Sequence, residues 1–296
     1  MLKSLSKEIK NSLYFSPIVK ALPSDVFLRI HYRVSLGKPL NLSNPTTFNE
    51  KMQWLKLYYH DPDFTVMVDK YGVKDYVKNK IGEEYVIPSL GVYDSYEDID
   101  FNELPDQFVL KCTHDSGGIA ICKDRSRFDF TEARNKLTRS LSRNYYYLGR
   151  EWPYKNVRPR ILVEKYMENK NRSNLDVYKI LTFNGIPKII QTIQNDKTPM
   201  ESIDYFDCSW NKLDMRQDYP NSNNPLKKPA CLNQMLQLAE ELSKGTPFLR
   251  VDLYEIDGKV YFSEFTFYSD CGFAPFTPSD WDATLGSWIQ LPDKKL

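Results

Sequence analysis

The apolar residues near the start of the chain recur at helical spacing instead of alternating with polar ones. Met52 and Leu55 share one helical face, and Thr47 with Glu50 three positions later forms a capping-box signature just before them. Strand-like alternation is nearly missing from this part of the sequence. The pattern predicts a mainly helical N-terminal region, residues 1–65.

From residue 66 onward the pattern changes to strands and helices that follow one another. Asn184-Gly185 separates two apolar segments and is a strong hairpin signal. Residues 195–229 are polar, rich in Asn and Pro, and predicted to be irregular. An α+β class built from antiparallel sheets and packed helices follows. Strands are predicted over residues 108–112, 119–122, 161–164, 176–183, 186–194, 248–256 and 259–267, and helices over residues 66–79, 130–143 and 232–242.

The amino-acid composition excludes some classes of function. The 296 residues contain 40 basic and 39 acidic side chains, so the chain lacks the basic excess of a non-specific nucleic-acid binder. Its five cysteines are dispersed and form no Cys-x-x-Cys pair, which argues against a zinc site or a disulfide framework and favours a reducing cytoplasm. The sequence shows neither an apolar run long enough for a membrane span nor a signal peptide, so we expect a cytoplasmic protein.

The first residues suggest one exception to a purely soluble protein. Four apolar side chains recur there at helical spacing, and three lysines lie on other faces of the same predicted helix. Such a basic amphipathic helix can lie on an anionic membrane surface, although docking on its own domain is the favoured interpretation. The apolar residues are Leu2, Leu5, Ile9 and Leu13, and the lysines are Lys3, Lys7 and Lys10.

Lys111 stands in an apolar strand, where its ammonium needs an anion or water. An edge strand with Lys111 facing solvent is the simple alternative. The segment that follows favours an anion site, because its glycines allow backbone amides to fold around a negative group. That segment consists of Asp115, Ser116, Gly117 and Gly118.

Residues 161–166 combine an apolar body with a polar exit at Glu164, Lys165 and Tyr166. A flat purine ring usually binds between apolar walls with its edge read by backbone groups, and this segment has the character of such a hinge. A buried strand that simply leaves the core explains the same pattern equally well.

The last predicted hairpin contains two acids among apolar neighbours, Asp252 and Glu264. Acids in such surroundings are seldom casual surface charges, and a divalent cation bound to phosphates would stabilise both. A salt bridge with Arg250 is the alternative. Because side chains alternate faces along a strand, a two-residue loop would pair position 252 with 263 and separate the acids. We therefore predict either an odd-length loop or a compensating bulge, with Thr266 in the same polar patch.

Together these segments resemble the ATP-grasp superfamily, and specifically its TupA-like branch from polysaccharide biosynthesis clusters. The resemblance covers most of the chain from about residue 44. It is strongest in residues 44–55, 69–71, 104–112 and 250–254.

The resemblance implies two α+β subdomains that grip ATP between them: a lid, residues 66–166, and a catalytic subdomain, residues 167–296. It further implies that Lys70 and Lys111 contact phosphates and that residues 115–118 form the mobile phosphate loop. The remaining implied roles are adenine binding by Glu164, Lys165 and Tyr166, ribose binding by Asp176, Mg²⁺ binding by Asp252, Glu264 and Thr266, and stabilisation of the transferred phosphoryl group by Arg250.

By the same resemblance we expect ATP to activate a carboxylate as an acyl phosphate, which an amine then attacks to give an amide. The expected substrates are a uronic acid of a surface polysaccharide and an amino acid or amine. The chain departs from the usual superfamily pattern in two places, and both departures affect this expectation. Thr266 replaces the asparagine that commonly completes the metal set, and residues 1–65 lack the strand–helix alternation of the usual first domain.

Three other functions remain open. A glycosyltransferase would use an Asp-x-Asp motif, for which Asp98 with Asp100 and Asp61 with Asp63 are candidates. Neither pair follows a convincing buried strand. A kinase on the same scaffold would have the same phosphate site. A non-catalytic binding protein is disfavoured because the chain carries both Lys111 and the acid pair.

Overall fold

The structure is a computed structural model that describes residues 14–170, 175–196 and 198–296. The predicted N-terminal amphipathic helix, residues 1–13, lies outside the described residues. The chain divides into two compact units. One unit combines the described residues up to His60 with Tyr147–Glu151 and most of Asp176–Leu296, and the other contains Asp61–Tyr146 and the described part of Trp152–Leu175. The part of the expected helical region from residue 14 to residue 60 therefore shares a unit with the C-terminal part of the chain, and residues 61–65 belong to the other unit.

Two antiparallel sheets organise the units. In the second unit β1 (Ser89–Tyr93), β4 (Ile161–Lys165), β2 (Phe108–Cys112) and β3 (Ile119–Cys122) lie side by side in the order β1-β4-β2-β3. In the first unit β10 (Lys259–Thr266), β9 (Phe248–Ile256), β5 (Val177–Phe183), β6 (Ile186–Gln194) and β7 (Ser202–Asp207) lie side by side in that order. A small separate sheet pairs β8 (Arg216–Gln217) with β11 (Phe276–Thr277).

The helices of the first unit are Pro17–Ala21, Ser24–Leu36, Phe48–Tyr58, Tyr146–Gly149, Leu232–Ser243 and Asp280–Trp288, the fourth beginning at the unit boundary. Those of the second unit are Asp63–Val68, Gly72–Ile81 and Phe130–Leu141. Short 3-10 helices occupy Glu83–Tyr85, Phe101–Glu103, Arg125–Arg127 and Trp152–Asn156, and Ser269–Gly272 contains a left-handed turn. Within the described residues, no helix is both long and apolar enough to span a bilayer.

Local signals explain where several elements begin. Thr47 accepts a hydrogen bond from the Glu50 amide, and the Glu50 carboxylate accepts one from the Thr47 amide, so the predicted capping box begins helix Phe48–Tyr58. Asn184 and Gly185 have positive φ angles of 50° and 79°, as the predicted tight turn requires. The α+β class and the antiparallel sheets are thereby confirmed.

Some elements were not predicted. β7 lies inside the segment interpreted as irregular, and it forms because its residues pair with β6 and are mostly buried. The helix predicted over residues 66–79 is split, because the chain is extended at Asp69 between Asp63–Val68 and Gly72–Ile81.

Candidate functional site

Lys111 is held on the face of β2 that points away from the core of its unit. Phe108, Leu110 and Cys112 alternate toward that core, so Lys111 must point to the opposite face. β2 is an interior strand between β4 and β3, and the Lys111 side chain is only 16% exposed. The alternative of a solvent-facing lysine on an edge strand is therefore wrong.

The partner of Lys111 is Glu164 on β4. Lys111 Nζ lies 2.6 Å from Glu164 Oε2, and Lys74 from helix Gly72–Ile81 forms an ion pair with the other carboxylate oxygen. Burial by itself raises the pKa of the Glu164 carboxyl, but Lys111 and Lys74 outweigh burial and hold that pKa below its ordinary value. Glu164 is thus ionised at neutral pH and shared by two mostly buried lysines, an arrangement that the adenine-hinge interpretation did not anticipate.

Lys74 was missed, although a sequence signal existed. It follows Lys70 by four residues, one helical turn, in a segment predicted to be helical. Burial lowers the pKa of the Lys74 ammonium, and the Glu164 carboxylate counteracts that effect. Two lysines on one carboxylate leave a net positive charge, which favours an anionic ligand.

The predicted phosphate loop follows β2, and Lys70 anchors the start of the loop. Lys70 donates from its amide to the Thr113 carbonyl at 3.0 Å and from its ammonium to the Asp115 carbonyl. Ser116 and Gly117 are exposed at the tip, where Gly117 has φ of +114°. Gly118 is buried, and a Cβ there would lie 2.8 Å from Cys112 Cβ. Gly117 therefore supplies the positive φ that the sequence indicated, and Gly118 is required because a side chain there would not fit.

His114 is a further anchor of this loop. It is 1% exposed, and its Nε2 lies 3.2 Å from the Ser140 carbonyl oxygen and 3.0 Å from that of Arg143. Because both partners are acceptors, Nε2 carries the proton. Ser140 also donates through its hydroxyl to the Asp115 carboxylate, which turns that acid toward helix Phe130–Leu141.

The predicted hinge lies at the end of β4. The Lys165 amide donates to the Pro88 carbonyl at 3.0 Å, and Tyr166 follows the strand with its ring 5.9 Å from the ammonium of Lys123. The carbonyl of Lys165 and the backbone of Tyr166 are the groups through which this segment would read a base edge.

The acid pair of the first unit is brought into register by a bulge. Asp257 and Gly258 form a two-residue loop with φ of 50° and 75°, and Lys259 pairs with Ile256. The register shifts at Ser263, so that Glu264 instead of Ser263 lies opposite Asp252. The prediction of an odd loop or a compensating bulge is confirmed, and the bulge is the form it takes.

Arg250 completes a tight ionic cluster with this pair. Its Nε and one terminal nitrogen lie 2.7 and 2.8 Å from the two Asp252 oxygens, and the latter nitrogen lies 3.8 Å from Glu264. Burial alone raises the pKa of the Asp252 carboxyl, but Arg250 and then Lys179 outweigh it and lower that pKa. The salt bridge considered as an alternative to a metal site is thus present in the structure.

Lys179 was also missed. Its Nζ lies 3.0 Å from Asp252 Oδ2, and it stands directly opposite Asp252 in the β5–β9 ladder. Its sequence signal is the same as that of Lys111, because each is an isolated lysine in an apolar strand. Thr266 pairs with Arg250 at the end of β10, and Asp176 immediately precedes β5, a strand of the same sheet.

A left-handed turn lies beyond β10. Asp270, Cys271 and Gly272 have φ of 48°, 53° and 61°. The turn is held by buried side chains, since Gln53 donates to the Gly272 carbonyl at 2.8 Å and Lys56 to the Cys271 carbonyl at 2.7 Å. Burial alone lowers the pKa of the Arg250 guanidinium, but Asp252, then Glu264 and then Asp270 on this turn outweigh burial and raise that pKa.

The residues fit the groups that the resemblance implies. Two carboxylates on neighbouring strands offer the hard oxygen ligands that Mg²⁺ prefers, and Mg²⁺ commonly takes only one or two carboxylates together with phosphates and water. Within the described ranges, no group of three His, Cys, Asp or Glu residues forms a ready-made metal site. In the other unit, Lys70, Lys74 and Lys111 supply the cations that phosphates require.

Solved structures with some likeness include D-alanine–D-alanine ligase from Bacillus anthracis in complex with ATP (17% identity, 68% of this chain, 54% of that chain, TM-score 0.39). They also include D-alanine–D-alanine ligase from Helicobacter pylori (12%, 84%, 68%, 0.44) and the ATP-grasp ligase PsnB with a phosphomimetic precursor variant, Mg and ADP (10%, 82%, 61%, 0.41).

The chain spans between about half and two thirds of the length of these solved ligases. The comparison with curated proteins found no match. The TupA-like ATP-grasp family model matches residues 50–290, most of the sequence. The chain therefore belongs to the TupA-like ATP-grasp family.

Proposed function

We propose that the protein is an ATP-dependent carboxylate–amine ligase that joins an amino acid or amine to a uronic acid of a surface polysaccharide or its precursor. The observation that carries the proposal is the cluster of Arg250, Asp252 and Glu264, which a dedicated bulge aligns in a chain of the ATP-grasp family. A bulge that served only to relieve backbone strain would have no need to place Glu264 opposite the buried Asp252.

In this proposal the candidate residues have separate roles in nucleotide binding. Lys70, Lys74 and Lys111, with the backbone of residues 115–118, bind phosphate oxygens. Glu164 orients Lys74 and Lys111. The backbone of Lys165 and Tyr166 contacts adenine, and Asp176 accepts a ribose hydroxyl. Mg²⁺ held by Asp252, Glu264 and Thr266 would neutralise phosphate charge during transfer.

The proposed reaction has two steps. The substrate carboxylate attacks the γ-phosphorus, the bond to the bridging oxygen breaks, and ADP and an acyl phosphate form. The amine attacks the acyl carbon, loses a proton and expels phosphate, which leaves the amide. Arg250 acts by neutralising charge that develops on the transferring phosphoryl group, so no protein nucleophile is needed.

The local structure weighs against the glycosyltransferase alternative. Asp98 accepts hydrogen bonds from the Ser95 amide and hydroxyl, Asp100 accepts one from the Asn102 amide, and Asp61 accepts one from the Asp63 amide. These acids are therefore used as turn and helix caps. A kinase would use the same residues but would leave the phosphate on its product, so the assay distinguishes it from a ligase.

The assay incubates the purified chain with Mg-ATP, uronic-acid acceptors and a panel of amino acids, and follows ADP, phosphate and product mass. We expect ADP and phosphate release that depends on both substrates, with an amide product. Phosphate retained on a stable product would identify a kinase. Consumption of a nucleotide-sugar without ATP would overturn both.

We place the reaction in the bacterial cytoplasm. The family and the use of free thiols support this assignment. Contact with a membrane through residues 1–13 is a subsidiary proposal that rests on their amphipathic pattern. Removal of those residues should then abolish sedimentation with anionic vesicles and leave ATP turnover on a soluble acceptor unchanged.

A further inference from the structure

The Asp252 carboxylate is almost fully occupied by cations of its own unit. Arg250 contacts both oxygens, at 2.7 and 2.8 Å, and Lys179 contacts Oδ2 at 3.0 Å. Asp252 is 1% exposed. Since a carboxylate has about four acceptor positions, three of them are used before any metal arrives.

The sheet register explains why Lys179 lies at this place. Lys179 on β5 and Glu264 on β10 both pair directly with Asp252 on β9, so the three side chains form one row on a single face of the sheet. Lys179 thereby supplies positive charge beside the acid that the metal would use. Its flexible stem and strongly hydrated ammonium can be withdrawn more easily than the bidentate Arg250 guanidinium.

We propose that Lys179 is an internal counter-ion for Asp252 that keeps the acid pair closed to free divalent cations. Phosphate oxygens of a bound nucleotide draw the lysine away, and the metal site then forms together with the nucleotide. This inference rests on the proposed function, because it assigns Asp252 and Glu264 to the metal. It deepens that function by making the nucleotide a requirement for tight metal binding.

The test measures Mn²⁺ binding to the full chain without nucleotide, by the loss of the electron paramagnetic resonance signal of free Mn²⁺. We expect weak binding by the wild type and binding at least tenfold tighter by Lys179→Met. Lys179→Arg keeps the charge and should bind as weakly as the wild type. Asp252→Asn in the Lys179→Met background should remove the gain.

Lys212 provides a matched control. It pairs with Asp204 at 2.7 Å, and that acid is also 1% exposed, but the Asp204 carboxylate has a serine amide as its other partner. Because Asp204 lies on β7, away from the β9–β10 acid pair, Lys212→Met should leave Mn²⁺ affinity unchanged. An equal gain in both lysine variants would show a general charge effect and would overturn the proposal.

Two further results would overturn it. One is an unchanged Mn²⁺ affinity in Lys179→Met, or in Lys179→Gln if the first variant does not fold. The other is tight Mn²⁺ binding by the nucleotide-free wild type that Glu264→Gln abolishes, a measurement that needs no Lys179 variant. Since no substrate is used, failure here with intact ATP turnover would leave the proposed ligase standing.

Discussion

Glu264 lies directly opposite Asp252 because Ser263 is an extra residue in β10. The two acids nevertheless have different surroundings. The Asp252 side chain is 1% exposed and contacts two cations, whereas the Glu264 side chain is 37% exposed and lies 3.8 Å from Arg250. One acid is therefore part of the folded core, and the other is available mainly for a ligand.

The two acids should respond differently to neutralisation. Asp252→Asn leaves the buried Arg250 and the mostly buried Lys179 without their anion and should lower the free energy of unfolding by about 3 kcal/mol. Glu264→Gln should change it by no more than about 0.5 kcal/mol. Both should abolish Mg-dependent ATP turnover. Urea unfolding and the release of ADP check these outcomes, and full activity in Asp252→Asn would refute the assignment.

Lys111 should be essential for rapid ATP turnover. Lys111→Ala removes a phosphate cation and one of the two partners of Glu164, so we expect ATP turnover to fall by about 10²- to 10³-fold. Lys136 on the exposed face of helix Phe130–Leu141 serves as the control, and Lys136→Ala should retain wild-type turnover. Equal rates for the two variants would remove Lys111 from the site.

Glu164 should make stability depend on pH in the acid range. Its pKa in the folded protein is below the ordinary value of 4.5. The stabilisation from ionised Glu164 is therefore complete above that value and is lost as the pH falls through the folded-state pKa. Glu164→Gln should be less stable than the wild type at pH 7, and the difference should shrink on acidification below 4.5. Unfolding curves from pH 7 to 3 measure it, and a constant difference would contradict the ion-pair account.

Gly286 should tolerate no side chain. A Cβ there would lie 2.6 Å from the Thr47 carbonyl carbon and 2.7 Å from the Phe48 amide nitrogen, and backbone atoms cannot move aside. Gly286→Ala should lower the free energy of unfolding by about 1–3 kcal/mol. Gly72, whose nearest neighbour would be 3.4 Å away, is the matched control. Gly72→Ala should be neutral or stabilising, and thermal unfolding compares the two.

Local sequence signals were enough to predict many of the secondary-structure elements. The capping box of Thr47 and Glu50, the Asn184-Gly185 turn and the strand containing Lys111 are each encoded within a few residues, so they appear in the structure as predicted. β7 was not predicted because its strand character depends on pairing with β6 and on burial. A helix near the C-terminus, Asp280–Trp288, was likewise not predicted; it packs against helix Phe48–Tyr58, more than 200 positions earlier.

For the candidate site, the sequence by itself determined which residues are chemically unusual: a lysine in an apolar strand, two acids in a hairpin and a glycine-rich loop. It also determined that the acids need a bulge or an odd loop to share a face, since side-chain alternation is a property of any strand. Only the tertiary structure decided which of these two solutions is used. It also decided that Lys74 joins Glu164 and that Lys179 joins Asp252, because the partners are 90 and 73 positions apart and meet only when the elements pack in one register.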